Sequence, residues 1–581
     1  MLDTTRTTGS PLVIGVSGHR NVHPDAEVQV RRQIEAFFRD LQRRLPDTEL
    51  RIMVGMAQGA DLLAARVALS AGWQVDAILP MPLEQYVEDF DSVSSEALRS
   101  LLQHPSVHCT VLPAPAAPEL LDGDGRDALY ANLTEALIEK CNVLLALWDG
   151  ESSSLPGGTA DTVLRYLGAR TVNSSESARI EFVTVVTEPA WGPHFVHWIP
   201  TRRSDDSAMP AQEPCYLSGI GEKLLAVHRA MPHLLEHQLT ELNSYNREFE
   251  RLRTRNALPP LDSLMPTLGT TTHEDHESLR RIDLEYGKAD ALAIYYQRHS
   301  DRLFRWFSLM ASGMALLFLI YAKLTANNVL LSLYLAILAV SLVGFYFVRR
   351  QQWFFKHLVY RVIAETMRTK FFLRAARADG LVNATELINL TGIDQFAGFS
   401  WIANLLKNME PLEAPRPSAA GEDQARLQTV HRHWIRGQKE YFNNRVQKLE
   451  RGHRRLEKMK TVMFYAMVML ALALLLFADR LHARVAGGVT GKDFVMFFMG
   501  LLPVLLGIWE LYQSKMAMRE LLWQYRNQLG HFTRAELQLS HSTAGSRQKE
   551  ILAQVGKESL MESYLWTIHR YHREYEPPSV G

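Results

Sequence analysis

Four stretches of this 581-residue chain constrain its fold more than any motif does. Residues 306–322 (WFSLMASGMALLFLIYA), 329–348 (VLLSLYLAILAVSLVGFYFV), 461–478 (TVMFYAMVMLALALLLFA) and 494–509 (FVMFFMGLLPVLLGIW) contain no Asp, Glu, Lys or Arg. A helix rises 1.5 Å per residue, so about 20 residues cross the roughly 30 Å hydrocarbon core of a bilayer. Backbone polar groups find no water in lipid, which leaves the helix as the form such segments can take there. The stretch 494–509 is the shortest and contains Pro503. The competing reading makes all four the buried helices of a large soluble domain.

Lys and Arg near the ends set the expected orientation. Arg302 and Arg305 precede the first span, Arg349, Arg350 and Lys356 follow the second, and the loop KLTANN between them has one Lys. RGHRRLEKMK (451–460) precedes the third span, and Lys515 and Arg519 follow the fourth. The loop DRLHARVAGGVTGK also holds Arg480, Arg484 and Lys492, which weakens the bias for that pair. Both termini are expected in the cytosol, with the chain multi-pass in the cytoplasmic (inner) membrane. The N-terminus MLDTTRTTGSPLVIGV lacks the pattern of a secretory signal. Each pair of spans is preceded and followed by a polar helical pattern with aromatic residues, which suggests an internal duplication and cytosolic extensions packed as a stalk.

Residues 11–190 have a different rhythm. Short apolar runs at 11–18, 50–57, 74–81, 107–114, 141–148 and 180–187 alternate with amphipathic helical patterns. In DAEVQVRRQIEAFFRDLQRRL, Val30, Ile34, Phe37, Phe38 and Leu41 share one helical face. Continuous apolar strands separated by helices predict a sheet covered on both faces, hence a doubly wound, mostly parallel α/β domain of Rossmann-like class. Ligands of such domains lie beyond the carboxyl ends of the strands. The segment 190–220 reads as polar. Beyond it, Leu235, Leu239, Leu242, Tyr245, Phe249 and Leu252 form a narrow helical seam suited to packing on the first domain or on another subunit.

The formal charge is zero, from 63 Lys plus Arg against 63 Asp plus Glu, so direct nucleic-acid binding is not expected. Cys109, Cys141 and Cys215 lack CxxC spacing and read as packing residues of a reducing compartment. The pairs His273/His276 and His569/His572 lack a strong third ligand, so no metal is expected, and Glu510 reads as a surface carboxylate at the end of the fourth span.

Three glycine clusters end strands: GVSGHR (15–20), GMAQGAD (55–61) and PGGTAD (156–161). A glycine turn entering a helix lets backbone N–H groups approach an anion, and the helix dipole favours phosphate there. Three together point to a nucleotide pocket. Neither the GxGxxG dehydrogenase fingerprint nor a Walker A loop is present.

The order IGVSGHR, VGMAQGADLLAARVAL, LPMP with Tyr86 and Phe90, LWDG and PGGTADTVLRYL resembles the SLOG superfamily, a Rossmann-like group related to the LOG phosphoribohydrolases and DprA-type domains. The likeness covers about residues 11–190. Paired transmembrane helices flanked by cytosolic helices resemble SLATT modules, membrane effectors associated with SLOG and nucleotide-synthesising domains in bacterial conflict systems. The resemblance implies a nucleotide or NAD-derived signalling ligand held by Gly15, Ser17, Gly18, His19 and Arg20, by Gly55, Ala57, Gln58, Gly59 and Asp61, by Tyr86 and Asp149, and by Gly157, Gly158, Thr159 and Asp161. Arg20 would pair a phosphate. Asp61 and Asp161 would accept ribose hydroxyls, although Asp61 also suits stabilising its own helix start. In the hydrolytic LOG pattern PGGxGTxxE, the register set by Pro156, Gly157 and Gly158 puts Ala160, Asp161 and Leu164 where Gly, Thr and the catalytic Glu stand.

The expected organisation is an α/β sensing domain (1–220), a connecting helix and linker (221–275), a first two-helix transmembrane unit (276–408), a linker (409–425) and a second two-helix unit with C-terminal helices (426–581). The expected function is a sensor of a nucleotide-derived messenger that controls a membrane effector in antiphage defence. Its expected partners are the bilayer, further copies of the chain and a signal-synthesising enzyme. The alternative is a membrane-anchored nucleotide or NAD N-glycosidase-type hydrolase; a third reading is a scaffold with an empty α/β domain.

Overall fold

The computed structural model describes residues 9–113, 124–153, 156–169, 180–185, 194–204, 213–222, 224–268, 273–382, 387, 392, 398–409, 420–481, 484–486, 489–515 and 518–574. Residues 186–187 of the sixth expected strand and 410–419 of the expected linker lie outside them. The chain forms two compact units: residues 1–256, 274–281 and 382–417 make one, and residues 257–273, 282–381 and 418–581 the other. Both expected transmembrane pairs therefore fall in a single unit, and part of the segment between them belongs to the α/β unit.

The α/β unit runs β1 (Leu12–Gly18), α1 (Pro24–Arg44), β2 (Leu50–Val54), α2 (Ala60–Ser70), β3 (Gln74–Leu79), α3 (Leu83–Tyr86), α4 (Ser92–Leu102), β4 (Val107–Val111), α5 (Asp124–Lys140), β5 (Val143–Trp148) and α6 (Thr159–Tyr166). It continues with β6 (Glu181–Thr184), β7 (Val196–Pro200), β8 (Cys215–Gly221), β9 (Leu224–His228) and α7 (His233–Thr254). Helix α1 has the expected local causes: His23 caps the Asp25 N–H, Pro24 opens the first turn, Arg43 and Arg44 close the last, and Val30, Ile34, Phe37, Phe38 and Leu41 are buried.

Among the described residues the sheet has nine strands in the order β4-β3-β2-β1-β5-β7-β8-β9-β6. Strands β4 to β7 of that order are mutually parallel, whereas β8 runs antiparallel to both β7 and β9. Strand order reverses at β1, with β2 on one side and β5 on the other. That reversal is the topological switch point, where a crevice opens at the strands' carboxyl ends.

The segment 190–220, read as polar, holds β7 and β8, and β9 follows directly. Val196, Trp198 and Ile199 are buried, as are Leu217, Leu225 and Ala226, so these strands complete the core beyond β5. The sixth expected strand, β6, does not neighbour β5 but pairs with β9 at the sheet's far edge.

Helix α7 buries all six seam residues. It packs on the α/β unit: Asn246 Nδ2 donates to Ser10 O at 3.0 Å, and Asn243 Oδ1 accepts from Thr48 Oγ1 at 3.1 Å.

In the second unit, α8 (His273–Lys323) and α9 (Asn328–Gln351) carry the first two apolar stretches. Gln352, in the left-handed region at φ 49°, separates α9 from α10 (Trp353–Ala375). Helix α11 (Trp401–Asn408) belongs to the α/β unit. Helix α12 (Ala420–Val430) passes through a π-helical turn into α13 (Gly437–Leu476), the third stretch. The short α14 (Ala478–Leu481) and a two-stranded ladder of β10 (Arg484–Ala486) and β11 (Val489–Thr490) lead to α15 (Gly491–Lys515), the fourth. Helices α16 (Met518–His541) and α17 (Gly545–Glu574) complete the chain's described part.

Four helices are thus long and apolar enough to cross a membrane. No residue of the most apolar windows in the first three is buried, and 6% of the fourth, so they are not interior helices of this chain's own core. The third stretch ends at Leu476 rather than Ala478. Polar extensions precede α8's and α13's apolar parts without a break, and the following helices pack on one another. Trp434 stacks on Phe372 at 5.6 Å, and Arg526 on α16 pairs with Glu450 on α13 at 2.7 Å.

Candidate functional site

A cavity of about 310 Å³ opens at the switch point between β1 and β5. Ser17, Gly18, His19 and Arg20 line it from the end of β1; Gly55, Ala57 and Asp61 from the turn after β2; and Gly157, Gly158 and Thr159 from the turn into α6. Tyr86 and Asp149 complete the expected residues that line it.

Four expected residues do not line it. Gly15 sits inside β1, opposite Met53 and Leu144 of the neighbouring strands. The Gln58 side chain is spent on Asp91, donating from Nε2 to Oδ2 at 2.7 Å, while Asp91 caps α4 at Ser94. Gly59 caps α2 at φ +86°, and a Cβ there would lie 2.1 Å from Arg20 O, so glycine is what lets the first two turns meet. Asp161 Oδ2 accepts the Gly157 N–H at 3.1 Å and holds the third turn from beneath.

Neither α2 nor α6 has a side-chain cap, and their first turns enter the cavity through Asp61, Thr159 and Ala160. Uncapped N-termini offer backbone donors and a positive dipole end to an anion. Gly157, at φ +76°, would place a Cβ 2.6 Å from the Tyr130 backbone, so the third turn is pressed against α5.

Arg20 supplies fixed positive charge, its guanidinium 4.7 Å from the Tyr130 ring centroid. Although burial acts to lower it, Tyr130, Tyr86 and Asp89 raise its pKa, so it stays a cation. Tyr130 in turn donates to Asp89, and Tyr86 donates to Gly55 O at 2.8 Å.

The carboxylates fall into two classes. Burial pushes Asp149 up, but the hydrogen bond from His19, the Glu151 N–H and the charges of His19 and Arg203 hold it below the ordinary value. His19 Nε2 lies 3.1 Å from Asp149 Oδ1, tying β5's end to β1's. Asp61 goes the other way. Burial pushes its carboxyl up to about 7, against the N–H groups of Ala57 and Gly18 and the Arg20 charge. Its Oδ2 accepts from Ala57 at 3.2 Å, while its buried Oδ1 has no hydrogen-bond partner.

Leu164, at the position of the LOG carboxylate, lies in the hydrophobic core with Leu144, Trp148 and Tyr166 and not on the cavity. Sequence reasoning missed Tyr130, Thr134 and Thr162, which form part of the wall, and Arg203 on the strand extension after β7. Thr134 and Thr162 share a hydrogen bond of 3.0 Å between hydroxyls. FVHWIP, an apolar run ending in proline, was the available signal for the strand that delivers Arg203. Among the described residues no cluster of His, Cys, Asp and Glu could hold a metal ion.

No protein-family model matches the sequence, and no curated protein matches it.

Proposed function

We propose that the α/β unit is a receptor for a nucleotide-derived signal and that the four apolar helices are the effector it controls. The observation that carries this reading is the convergence of three glycine turns, two uncapped helix N-termini and Arg20 on one cavity at the switch point. Phosphate would lie at the Gly157–Thr159 turn, and Arg20 would pair it. In keeping with the SLOG and SLATT resemblance, the setting is antiphage defence, with a signal-synthesising enzyme upstream and pore formation or membrane disruption as the output.

Control requires only that the ligand bind one arrangement of the receptor better than another. Chain continuity supports the coupling, because α8 contributes residues 274–281 to the α/β unit and the rest to the helical unit. Several copies would be needed, since four spans rarely enclose a pore alone. The termini and the cavity would face the cytosol.

Small molecules released from gently purified, detergent-solubilised full-length protein, identified by mass spectrometry, test the reading. A nucleotide-type compound is expected, and it should be lost from Gly157→Val. Retention of the compound and of toxicity in that variant overturns the proposal.

A second reading, an N-glycosidase-type hydrolase with passive spans, draws on Asp61, whose carboxyl near 7 suits acid–base work. Release of free base from nucleotides or NAD by the full-length protein would favour it over the receptor.

A further inference from the structure

Four elements that line the cavity at one end, β1, β5, α5 and α6, meet a common partner at the other. Helix α6 starts at the Gly158–Thr159 turn and ends at Tyr166, about 12 Å away at 1.5 Å per residue. The Tyr166 hydroxyl donates to Asn142 O at 2.9 Å. Asn142, buried just before β5, is the joint. Its Oδ1 accepts from the Val13 N–H of β1 at 2.8 Å, and its Nδ2 donates to Asn404 O of α11 at 3.2 Å. Helix α5, whose Tyr130 and Thr134 line the cavity, also ends on α11. Lys407 Nζ of α11 donates to Ile138 O at 3.3 Å and Cys141 O at 3.4 Å, a cation at the negative end of α5, and lies 5.3 Å from the Tyr166 ring centroid.

Helix α11 comes from the chain between the second and third apolar stretches, yet it belongs to the α/β unit. Its eight residues are too few to hold a helix in water without packing, so it has two states, docked and released.

We propose that α11 is the output of the receptor: a phosphate-bearing ligand at the α6 turn tightens the hold on α11, and its departure loosens it. The segment joining the two pairs of apolar helices is thereby fixed or freed according to what the cavity contains. This rests on the receptor reading and adds how the state of the cavity leaves the α/β unit. The sign follows from the shared parts. The arrangement that forms the cavity is also the one in which Tyr166, Asn142 and the end of α5 meet α11. A ligand that binds this arrangement better favours docking, and docking favours the ligand by the same factor.

Hydrogen exchange of the full-length protein in detergent, read by mass spectrometry, tests this with pyrophosphate, ADP and NAD as probes. Exchange over α11 (residues 401–408) is compared with β3 (residues 74–79), a strand that makes no part of the joint. A bound probe is expected to slow α11 about fivefold or more relative to β3. Lys407→Glu, which sets a carboxylate against the same carbonyls, should release α11 and weaken the probe by that same factor. Tyr166→Phe keeps the ring beside Lys407 but loses the bond to Asn142; it should bind the probe and lose most of the α11 response. One arm needs no ligand: Gly157→Val, which displaces the turn at the start of α6, should speed exchange over α11 about fivefold or more relative to β3.

Binding that leaves α11 unchanged, slowing of equal size in β3, or a full response in Tyr166→Phe overturns the role of α11 and leaves the receptor standing. Failure of every probe to bind overturns the receptor reading, and the Gly157→Val arm then still decides the coupling: an unchanged ratio of exchange overturns it.

Discussion

Asp61 and Asp161 show how little a residue's type says about its work. Asp61 stands in a Q-G-A-D turn and Asp161 in a G-T-A-D turn, and both accept an N–H four residues upstream. Only Asp61 lines the cavity, and its Oδ1 is buried without a hydrogen-bond partner. The consequence for stability can be measured. Because the folded Asp61 has a pKa of about 7 against 3.8 for the free group, its protonated form favours the fold, and that contribution is lost as pH rises from about 4 to 7. The loss is about 4 kcal/mol at most, from 1.36 kcal/mol per pKa unit. Asp61→Asn is neutral throughout, so its unliganded Tm should exceed the wild-type value at pH 8 and do so by much less at pH 5. Thermal melts of the full-length protein at both pH values check this, and an equal shift at the two would contradict it. The Gly157 position is equally local in its effect. Gly157→Ala forces a Cβ toward the Tyr130 backbone at a positive φ and should lower stability by about 1–3 kcal/mol.

At the level of elements, the α6 turn places its glycines on the cavity and Leu164 off it. Leu164 is 4% exposed and packs in the core beside β5, so the side chain six residues beyond Gly158 points away from the cavity. Leu164→Glu, which restores the LOG pattern's carboxylate by name, should destabilise the fold by more than about 3 kcal/mol through burial of an unpaired charge. It should create no hydrolytic activity; melting and nucleotide-product assays read the two outcomes separately. The β7 to β9 segment gives the opposite lesson. Its apolar runs are short and interrupted by His197, Ser218 and Gly219, yet each strand is fully bonded once β5 offers an edge. Helix α11 behaves in the same way. Lys407 Nζ reaches Cys141 O at 3.4 Å, and Asn142 Nδ2 donates to Asn404 O at 3.2 Å, which anchors a segment from between the second and third apolar stretches beneath the strands' amino ends.

For the whole molecule the decisive question is topology. Four apolar helices with cationic flanks should place the loop after α8 on the far side of the membrane from both termini. Thr325→Cys is expected to react with a membrane-impermeant maleimide in intact cells, and Thr543→Cys only after lysis. Native Cys109, the exposed one of the three cysteines, provides an internal control expected on the cytosolic side. Labelling of Thr543→Cys in intact cells would reverse the orientation. The full-length protein should also stay with membranes through alkaline carbonate extraction, as expected of spanning helices.

Composition and period were sufficient wherever the cause of structure is local. A run without charges over 17 to 20 residues reads as a lipid-length helix, and the facing Val30, Ile34, Phe37, Phe38 and Leu41 read as a buried stripe, with no knowledge of the rest of the chain. The glycine turns were legible for the same reason, since each needs its own backbone geometry. What they surround was not. Strand order brings the first turn beside the fifth strand, although 130 residues separate His19 from Asp149. Hydrogen bonding then withdraws Gln58 and Asp161 from the cavity, and the fold alone brings Tyr130, Thr134 and Arg203 into its wall. Burial and the choice of hydrogen-bond partner are properties of residues distant in sequence. They decided that Asp61, and not its twin, lines the cavity.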